Sequence, residues 1–432
     1  MRRRGGAPKL PCGWVAYGTL IYLNDFMGYN QYTLRNGLRI IHQPSLSKVA
    51  YCGFAINAGT RDELPHEHGM AHFVEHMVFK GTKSRSAWKI LNGMEQVGGD
   101  LNAYTNKEET VVYSAFLVEH FNRAVSLLGD IVFHSTFPEN EIRKEAEVVI
   151  DEIRSYEDNP SELIFDDFED LIFRGHPLGH NILGTPELLK GYNTEKVIDF
   201  TSRYYHPSNA IFFVQGNIDF KRVVHQVEKA VGDLPDIQIE NKRTPPPVYE
   251  KSGETLHKDT SQAHVMMGCR AYNAYSEKRT ALYLLNNMIG GPGMNSKLNV
   301  SLRERRGLVY NVESNLTSFT DTGLFSIYFG TDPDNIKQCI RLVEKELNAL
   351  RSKQLTESQL SAAKKQLIGQ IAVGSDNNEN NALGMAKTFL HYNKWEAPEA
   401  VFQRINALTT EQILEVANEI FDPVQMSTLI YK

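Results

Sequence analysis

Cysteine is scarce in this sequence, and long apolar runs and an excess of charge of one sign are both absent. The four cysteines lie far apart and form no CxxC pair, which argues against a disulfide framework or a cysteine-based zinc site and favours a reducing compartment. No segment approaches the roughly 20 apolar residues that span a bilayer, so we expect no membrane insertion. A formal net charge of −6 gives no electrostatic reason to expect nucleic-acid binding.

The composition is that of a globular protein with more than one domain. Of the 432 residues, 41% are hydrophobic and 23% are charged, which is typical of folded proteins. A chain of this length is too long for one ordinary core and suits two domains of roughly 200 residues.

The N-terminal residues differ from the rest of the chain. Arg2–Arg4 precede a mildly apolar run, Trp14–Leu23, which Gly18 interrupts. We interpret residues 1–28 as a disordered N-terminal extension ahead of a start at Met27. A secretion signal and an arginine-rich organelle transit peptide are the alternatives.

An internal repeat organises the remainder of the chain. The pairs Thr194-Glu195 and Thr410-Glu411 are displaced by 216 positions, and each opens an apolar-periodic segment followed by a proline and a strand. A second match, displaced by 218 positions, relates 137–142 to 355–360 at the start of two long predicted helices. Each half is thus predicted to contain strands, a helix, more strands, further helices and a closing strand.

This order of elements predicts an α+β fold with two homologous domains. Each domain is expected to have a mainly antiparallel sheet with helices packed on one face, and Asn36-Gly37 suits the two-residue turn of an antiparallel hairpin. We place the domains at residues 29–235 and 256–432. The segment 236–255, which contains the polar, proline-rich run 241–247, is the predicted linker. A ligand is expected in the cleft between the domains.

The segment His72-Phe73-Val74-Glu75-His76 has the spacing of a zinc site on a helix. Its histidines are four residues apart, so they lie one above the other, and neutral imidazoles there can hold one Zn²⁺. Glu75 projects from the same side and can take a proton from a metal-bound water. The order H-x-x-E-H is the inverted form of the zinc-protease motif. The alternative is a pair of satisfied, partly buried histidines on an amphipathic helix.

A catalytic zinc site needs a third protein ligand, and the acidic helix that follows Pro138 offers candidates. Glu145 and Glu152 are seven residues apart, two helical turns, and share their side of the helix with Ile142 and Val149. A charged residue that faces a core usually has a partner, and a metal ion is one such partner. A solvated face explains the other acidic residues of this helix.

In this motif and in further segments, the sequence resembles the pitrilysin/insulinase family of zinc peptidases, in the branch of mitochondrial processing peptidase and its bacterial relatives. The resemblance extends from about Tyr29 onward. It rests on the segments Leu34–Leu38, Ala58–Glu63, Phe79–Thr82 and Leu101–Thr105 and above all on Gly69–Met77.

The resemblance implies a role for each residue of the first-half site. His72, His76 and Glu152 would hold one Zn²⁺ per chain, and Glu75 would be the general base. Glu145 falls on an additional acidic position of the family, behind the ligands, where it would orient one of them.

The resemblance also implies a substrate strand. The segment Asp100–Tyr104 matches the edge strand on which relatives lay their substrate. Asn102, Ala103 and Tyr104 are therefore expected to bind an extended peptide through main-chain hydrogen bonds.

The second half lacks the zinc motif but keeps another family feature. Leu282, Leu285 and Asn286 stand opposite the motif and cannot form a zinc site. Arg303 and Tyr310, seven residues apart, have the spacing of the pair with which relatives grip substrate and stabilise the oxyanion. The alternative is a surface arginine and a tyrosine packed in a core.

Together these features predict a zinc metalloendopeptidase that hydrolyses peptides or unfolded segments, with Glu75 as general base. Relatives enclose four such domains, so we expect a homodimer in which the Arg303–Tyr310 pair acts across the chamber. The alternative function is a non-catalytic scaffold or partner subunit of the same fold, and a catalytic subunit with an unlike partner also stays open. The bacterial cytoplasm is the expected location, with the mitochondrial matrix and export as alternatives.

Overall fold

The computed structural model describes residues 28–238, 241–258 and 260–432. All but the last residue of the predicted N-terminal extension therefore lies outside the described residues. The strands of the described ranges are β1 (Asn30–Thr33), β2 (Arg39–Pro44), β3 (Val49–Ile56), β4 (Asp100–Thr105), β5 (Thr110–Leu117), β6 (Ala210–Gly216), β7 (Gly253–Leu256), β8 (Ala263–Ala271), β9 (Val309–Ser318), β10 (Gly323–Thr331) and β11 (Ser427–Tyr431).

Helices fill most of the chain between the strands. Those of the described ranges are α1 (Met70–Met77), α2 (Ala87–Glu95), α3 (Phe121–Phe133), α4 (Glu139–Glu157), α5 (Pro160–Ile172), α6 (Pro186–Lys190), α7 (Thr194–Tyr204), α8 (Phe220–Val231), α9 (Arg279–Gly290), α10 (Ile336–Ser352), α11 (Glu357–Gly374), α12 (Asn378–Tyr392), α13 (Pro398–Ala407) and α14 (Thr410–Ile420). A π-helical segment spans Asn299–Glu304. Among the described helices none is both long and apolar enough to cross a membrane.

The two halves contain sheets that share a five-strand topology, to which the first sheet adds β1 at one edge. The first sheet has the order β1-β2-β6-β3-β5-β4 and the second β7-β11-β8-β10-β9. In each sheet one pair of strands, β2–β6 or β7–β11, is parallel and the other pairs are antiparallel. These mainly antiparallel sheets with packed helices confirm the predicted α+β fold of two related domains.

Two local features differ from the sequence-based expectations. The first hairpin forms, but its register pairs Thr33 with Arg39, so the connection is longer than a two-residue turn and that detail of the prediction is wrong. The side-chain amide of Asn36, in the loop between β1 and β2, donates to the Val231 carbonyl oxygen at 2.7 Å and so holds this loop against the end of α8. In addition, β7 begins inside the predicted linker and crosses its border at residue 255.

The inner face of each sheet packs against helices of its own half. In the first sheet, Phe54 and Phe212 lie in a core with Phe73 of α1 and Leu128 of α3. Alternate residues of the same strands, such as Phe213, point to the opposite face and are equally buried. Both faces of each sheet are therefore apolar, and its own helices cover only one of them.

The opposite faces are covered by an exchange of helices between the halves. Helix α5 of the first half buries Ile164 and Phe168 in a cluster with Met266 and Tyr328 of the second sheet. Helix α12 of the second half buries its apolar side against β3 and β6 of the first sheet. Because α5 follows α4 and α12 follows α11, the two exchanged helices occupy equivalent positions in the repeat. Neither half could bury both faces of its sheet alone.

We expect replacement of Phe168 by alanine to destabilise the second half although the residue belongs to the first. Phe168 is fully buried, so its truncation should cost about 3–5 kcal/mol of unfolding free energy. Urea unfolding measures the loss, and hydrogen exchange followed by mass spectrometry should show weakened protection of β8 and β11. The control, Glu162→Ala on the exposed side of the same helix, should change stability by less than about 0.5 kcal/mol. Loss of protection in the first sheet alone would contradict the packing of α5 on the second sheet.

Candidate metal centre

The start of helix α1 is fixed before its first histidine. Gly69 caps the helix with φ +95°, and a Cβ at this position would lie 2.7 Å from both the Leu183 oxygen and the Gly184 Cα. The half-buried Glu63 carboxylate accepts hydrogen bonds from the backbone N–H groups of Gly69 at 2.9 Å and of Ala71 at 2.8 Å. This carboxylate satisfies two of the unpaired N–H groups at the helix start and complements the helix dipole.

Helices α1 and α4 bring three predicted residues together. Nε2 of His72 lies 3.9 Å and Nε2 of His76 lies 3.8 Å from Oε2 of Glu152. The donor atoms of the three side chains all lie within 4.8 Å of one another, and no other group of this kind occurs in the part of the chain that the structure describes. Donors about 2.1 Å from a tetrahedral zinc lie roughly 3.4 Å apart, so small side-chain rotations would complete the set.

The environment of His72 suits a metal ligand. Its side chain is buried, and burial together with the neighbouring His76 lowers its pKa to about 3. The imidazole is thus neutral at physiological pH, the form in which histidine binds metal. Its Nδ1 is buried and has no hydrogen-bond partner among the described residues. Two nitrogen donors and one carboxylate, with one neutral imidazole already desolvated, fit a zinc ion that keeps an open position.

His76 is held by a carboxylate on its other side. Its Nδ1 lies 3.0 Å from Oε1 of Glu145, whose second oxygen is 2.6 Å from the Lys80 ammonium. Burial acts to lower the pKa of His76, but the hydrogen bond to Glu145 and the surrounding carboxylates outweigh it and raise that pKa. Burial likewise acts to raise the pKa of Glu145, and its bonds to His76 and Lys80 outweigh it, so this carboxylate stays charged.

The sequence arguments did not identify Lys80 or Glu63 as part of the site. Lys80 lies three residues beyond the end of α1, in the bend before Gly81. No helical spacing links it to His76, so its contact with Glu145 is visible only in the structure. Glu63 lies in a loop with no periodicity, and its contact with α1 depends on the tertiary fold.

Glu75 lies beside the three donors on α1. It is partly buried, and burial raises the pKa of its carboxyl, with the charge of Glu152 acting in the same direction. A carboxylate with a raised pKa is a stronger base, better matched to removing a proton from water at neutral pH.

The predicted substrate strand β4 is the edge of the first sheet and packs beside α1. It pairs with β5 on one side, and its other edge has no strand neighbour in the described ranges. Asn102 is exposed, while Ala103 and Tyr104 are half-buried. The free main-chain N–H and C=O groups of such an edge can pair with an extended peptide.

Arg303 and Tyr310 lie on elements of the second half, whereas the donors lie on α1 and α4 of the first. Arg303 is an exposed residue of the π-helical segment, and Tyr310, at the start of β9, is 83% exposed. In the described ranges no hydrogen bond or ion pair joins either of them to the cluster. Arg303 lines a cavity of about 540 Å³ between α9 and β9, together with Asn286 and Asn311.

The second half offers no metal donors at the equivalent place. Helix α9 and edge strand β9 correspond to α1 and β4 in the repeat. Leu282 and Leu285 of α9 are buried in the core of this half, and Asn286 supplies only an amide. The structure thus brings together the predicted first-half residues but not the second-half pair.

The chain matches two domain families along its length. Residues 39–186 match Insulinase (Peptidase family M16), and residues 192–367 match the Peptidase M16 inactive domain. An uncharacterized zinc protease of Bacillus subtilis is 34% identical over 395 residues, which cover 90% of this chain and 95% of that protein. Another from Mycobacterium leprae is 32% identical over 400 residues, covering 90% of this chain and 88% of that protein.

Solved structures show the same fold. A protease from Helicobacter pylori superimposes with a TM-score of 0.86 at 23% identity, over 94% of this chain and all of that one. A peptidase M16 inactive domain from Pseudomonas fluorescens has a TM-score of 0.86 at 19% identity, over 93% of this chain and 97% of that one. On its domain matches and its full-length relatives, the chain belongs to the insulinase family of peptidases, family M16.

Proposed function

We propose that this protein is a zinc metalloendopeptidase. The observation that carries the proposal is the convergence of two imidazoles and a carboxylate, from His72, His76 and Glu152, beside a second carboxylate, Glu75. A zinc ion bound by the first three would lower the pKa of a bound water to about 7 and polarise a peptide carbonyl.

Glu75 carries the proton in the proposed reaction. Its carboxylate, made more basic by burial, takes a proton from the attacking water and afterwards passes it to the amine of the leaving peptide. The free edge of β4, next to α1, would hold the substrate as an added strand. Recognition through the main chain would favour peptides and unfolded segments, because a folded protein rarely presents a free extended strand.

Glu145 and Lys80 have a supporting role in the proposal. Glu145 accepts a hydrogen bond from Nδ1–H of His76. This leaves Nε2, on the side of Glu152, as the ring nitrogen with a lone pair for a metal ion. Lys80 supplies a positive charge that partly offsets the negative charges of the carboxylates of Glu75, Glu145 and Glu152.

We further propose that the protein works as a homodimer. Arg303 and Tyr310 are exposed and make no hydrogen bond or ion pair to the donor cluster of their own chain within the described ranges. We therefore assign them as oxyanion donors to a substrate bound by another copy, across a shared chamber. The match of residues 192–367 to a domain described as inactive agrees with a second half that contributes no metal site.

We expect Glu75→Gln to abolish peptide cleavage while zinc stays bound. The amide cannot accept the proton, so turnover should fall by at least about 100-fold. Cleavage of internally quenched peptides and zinc content by mass spectrometry measure the two effects. Glu147→Gln, at an exposed position of α4, is the matched control and should retain wild-type values. Retained turnover in the Glu75 variant would refute its role as general base. If the wild type binds no zinc, the protein is a scaffold subunit instead.

Lys80→Met should weaken zinc binding by about 10- to 100-fold, since it removes the cation that holds Glu145 against His76. Lys80→Arg should retain most of the affinity. Competition with a chromophoric chelator gives the dissociation constants. Lys144→Met is the control, because Lys144 forms a similar ion pair on the exposed side of α4. Unchanged affinity in the Lys80→Met variant would exclude a supporting role.

Co-expression of Glu75→Gln and Tyr310→Phe chains should restore activity that neither variant has alone. If Tyr310 acts across the dimer, each mixed dimer contains one intact site, and random pairing gives about a quarter of the wild-type activity. A mixture as inactive as the two variants would show that Tyr310 acts within its own chain, and wild-type activity of Tyr310→Phe alone would show that Tyr310 has no role. A monomeric mass by light scattering in an active preparation would exclude the dimer.

A further inference from the structure

The turn that joins the substrate strand β4 to β5 contains three consecutive charged residues, and all are buried. Lys107, Glu108 and Glu109 are 6%, 5% and 1% exposed. A hairpin turn normally lies at the surface, and charged side chains are almost never this buried unless they are paired. Each of the three has its own partners, and most of these lie in the other half or on an exchanged helix.

Glu108 is bonded to the second half. Its Oε1 accepts from the Thr320 hydroxyl at 2.7 Å and its Oε2 from the Thr320 backbone N–H at 2.9 Å. The Arg61 guanidinium lies 2.6 Å from Oε1 and also donates to Oδ1 of Asp321 at 2.8 Å. Thr320 and Asp321 belong to the turn between β9 and β10, which is the counterpart of the β4–β5 turn in the repeat. The equivalent turns of the two halves therefore meet at this ion-pair group.

The two flanking residues are bonded to the exchanged helices. Glu109 lies 2.8 Å from the Lys387 ammonium and 3.1 Å from Nε2 of His391, both on α12. Lys107 lies 3.1 Å from the Glu169 carboxylate on α5. The end of β4 is thus bound to the second half directly and to both helices that join the halves.

The opposite end of β4 begins at a glycine-containing turn. The strand follows Gly98, which has φ +72°, and Gly99. One edge of β4 pairs with β5 and the other has no strand neighbour among the described residues. The position of β4 is therefore fixed by its pairing with β5, by its packing on α1 and α2, and at its C-terminal end by the charged turn.

We propose that the second half positions the substrate strand through this turn, with Glu108, Arg61, Thr320 and Asp321 as the positioning residues. An added peptide strand pairs in register only if the edge that receives it is ordered, so loosening the turn weakens peptide binding more than the chemical step. The ordering of β4 follows from contacts within the chain, and its consequence for peptide binding rests on the proposed function.

The test is hydrogen exchange and kinetics of Asp321→Asn in the full chain. Asp321 is 24% exposed at its side chain, and its replacement leaves Arg61 paired with Glu108, so the variant is expected to fold. Amides of residues 100–109 should exchange about tenfold faster than in the wild type. The Michaelis constant for a quenched peptide should rise several-fold, with kcat and zinc affinity nearly unchanged. Thr320→Val, which removes the hydroxyl bonded to Glu108, should act in the same direction.

The matched control is Glu254→Gln. It removes the carboxylate from another ion pair between the halves, with Arg174 at 2.5 Å, which does not involve the turn. Faster exchange of residues 100–109 in Asp321→Asn and Thr320→Val but not in Glu254→Gln supports the proposal. Unchanged exchange of β4, or equal acceleration along the whole chain, overturns it. If the wild type cleaves no peptide, the proposed function fails, and the exchange data still decide whether the turn orders β4.

Discussion

Each sheet of this protein has two apolar faces, and the need to cover the second face determines how the halves are arranged. The helices of one half cover the inner face of its own sheet, so the outer face is left for a helix of the other half. The structure solves this by exchanging α5 and α12, which bury aromatic residues such as Phe168 and Phe389 on the partner sheet. Since large apolar surfaces exposed to water are costly, the halves are held in one relative orientation.

The metal centre depends on a second constraint, the placement of α4 against α1. His72 and His76 are set by the geometry of one helix, but Glu152 comes from another, and Glu145 must reach His76 from the same direction. Helix α4 can do this because its apolar residues, among them Val149, pack in the core with α1. At α1 itself the Glu63 carboxylate fixes the first turn. The donors are thus positioned by packing and capping, and a bound ion would add to an arrangement that already exists.

The two halves of the repeat have diverged in their tasks. The first contains the donors and the general base, while the second has leucines and an asparagine at the matching places of α9. The contribution of the second half is a covering helix, α12, and the turn that meets Glu108 and Arg61. In the proposed enzyme its exposed Arg303 and Tyr310 would complete a site in a second copy.

The sequence by itself determined the repeat, the α+β class and the set of candidate ligands, because each depends on local spacing. Two histidines four residues apart lie together on any helix, and Glu145 and Glu152 share one helical side. Only the tertiary structure decided which half covers each sheet, that Lys80 holds Glu145, and that a buried turn joins the halves. These contacts link residues that are distant in sequence or that lie in loops without periodicity, so no regular spacing in the sequence predicts them. The exchange of α5 and α12 in particular leaves the hydrophobic pattern of each helix unchanged, since an apolar face packs equally well on either sheet.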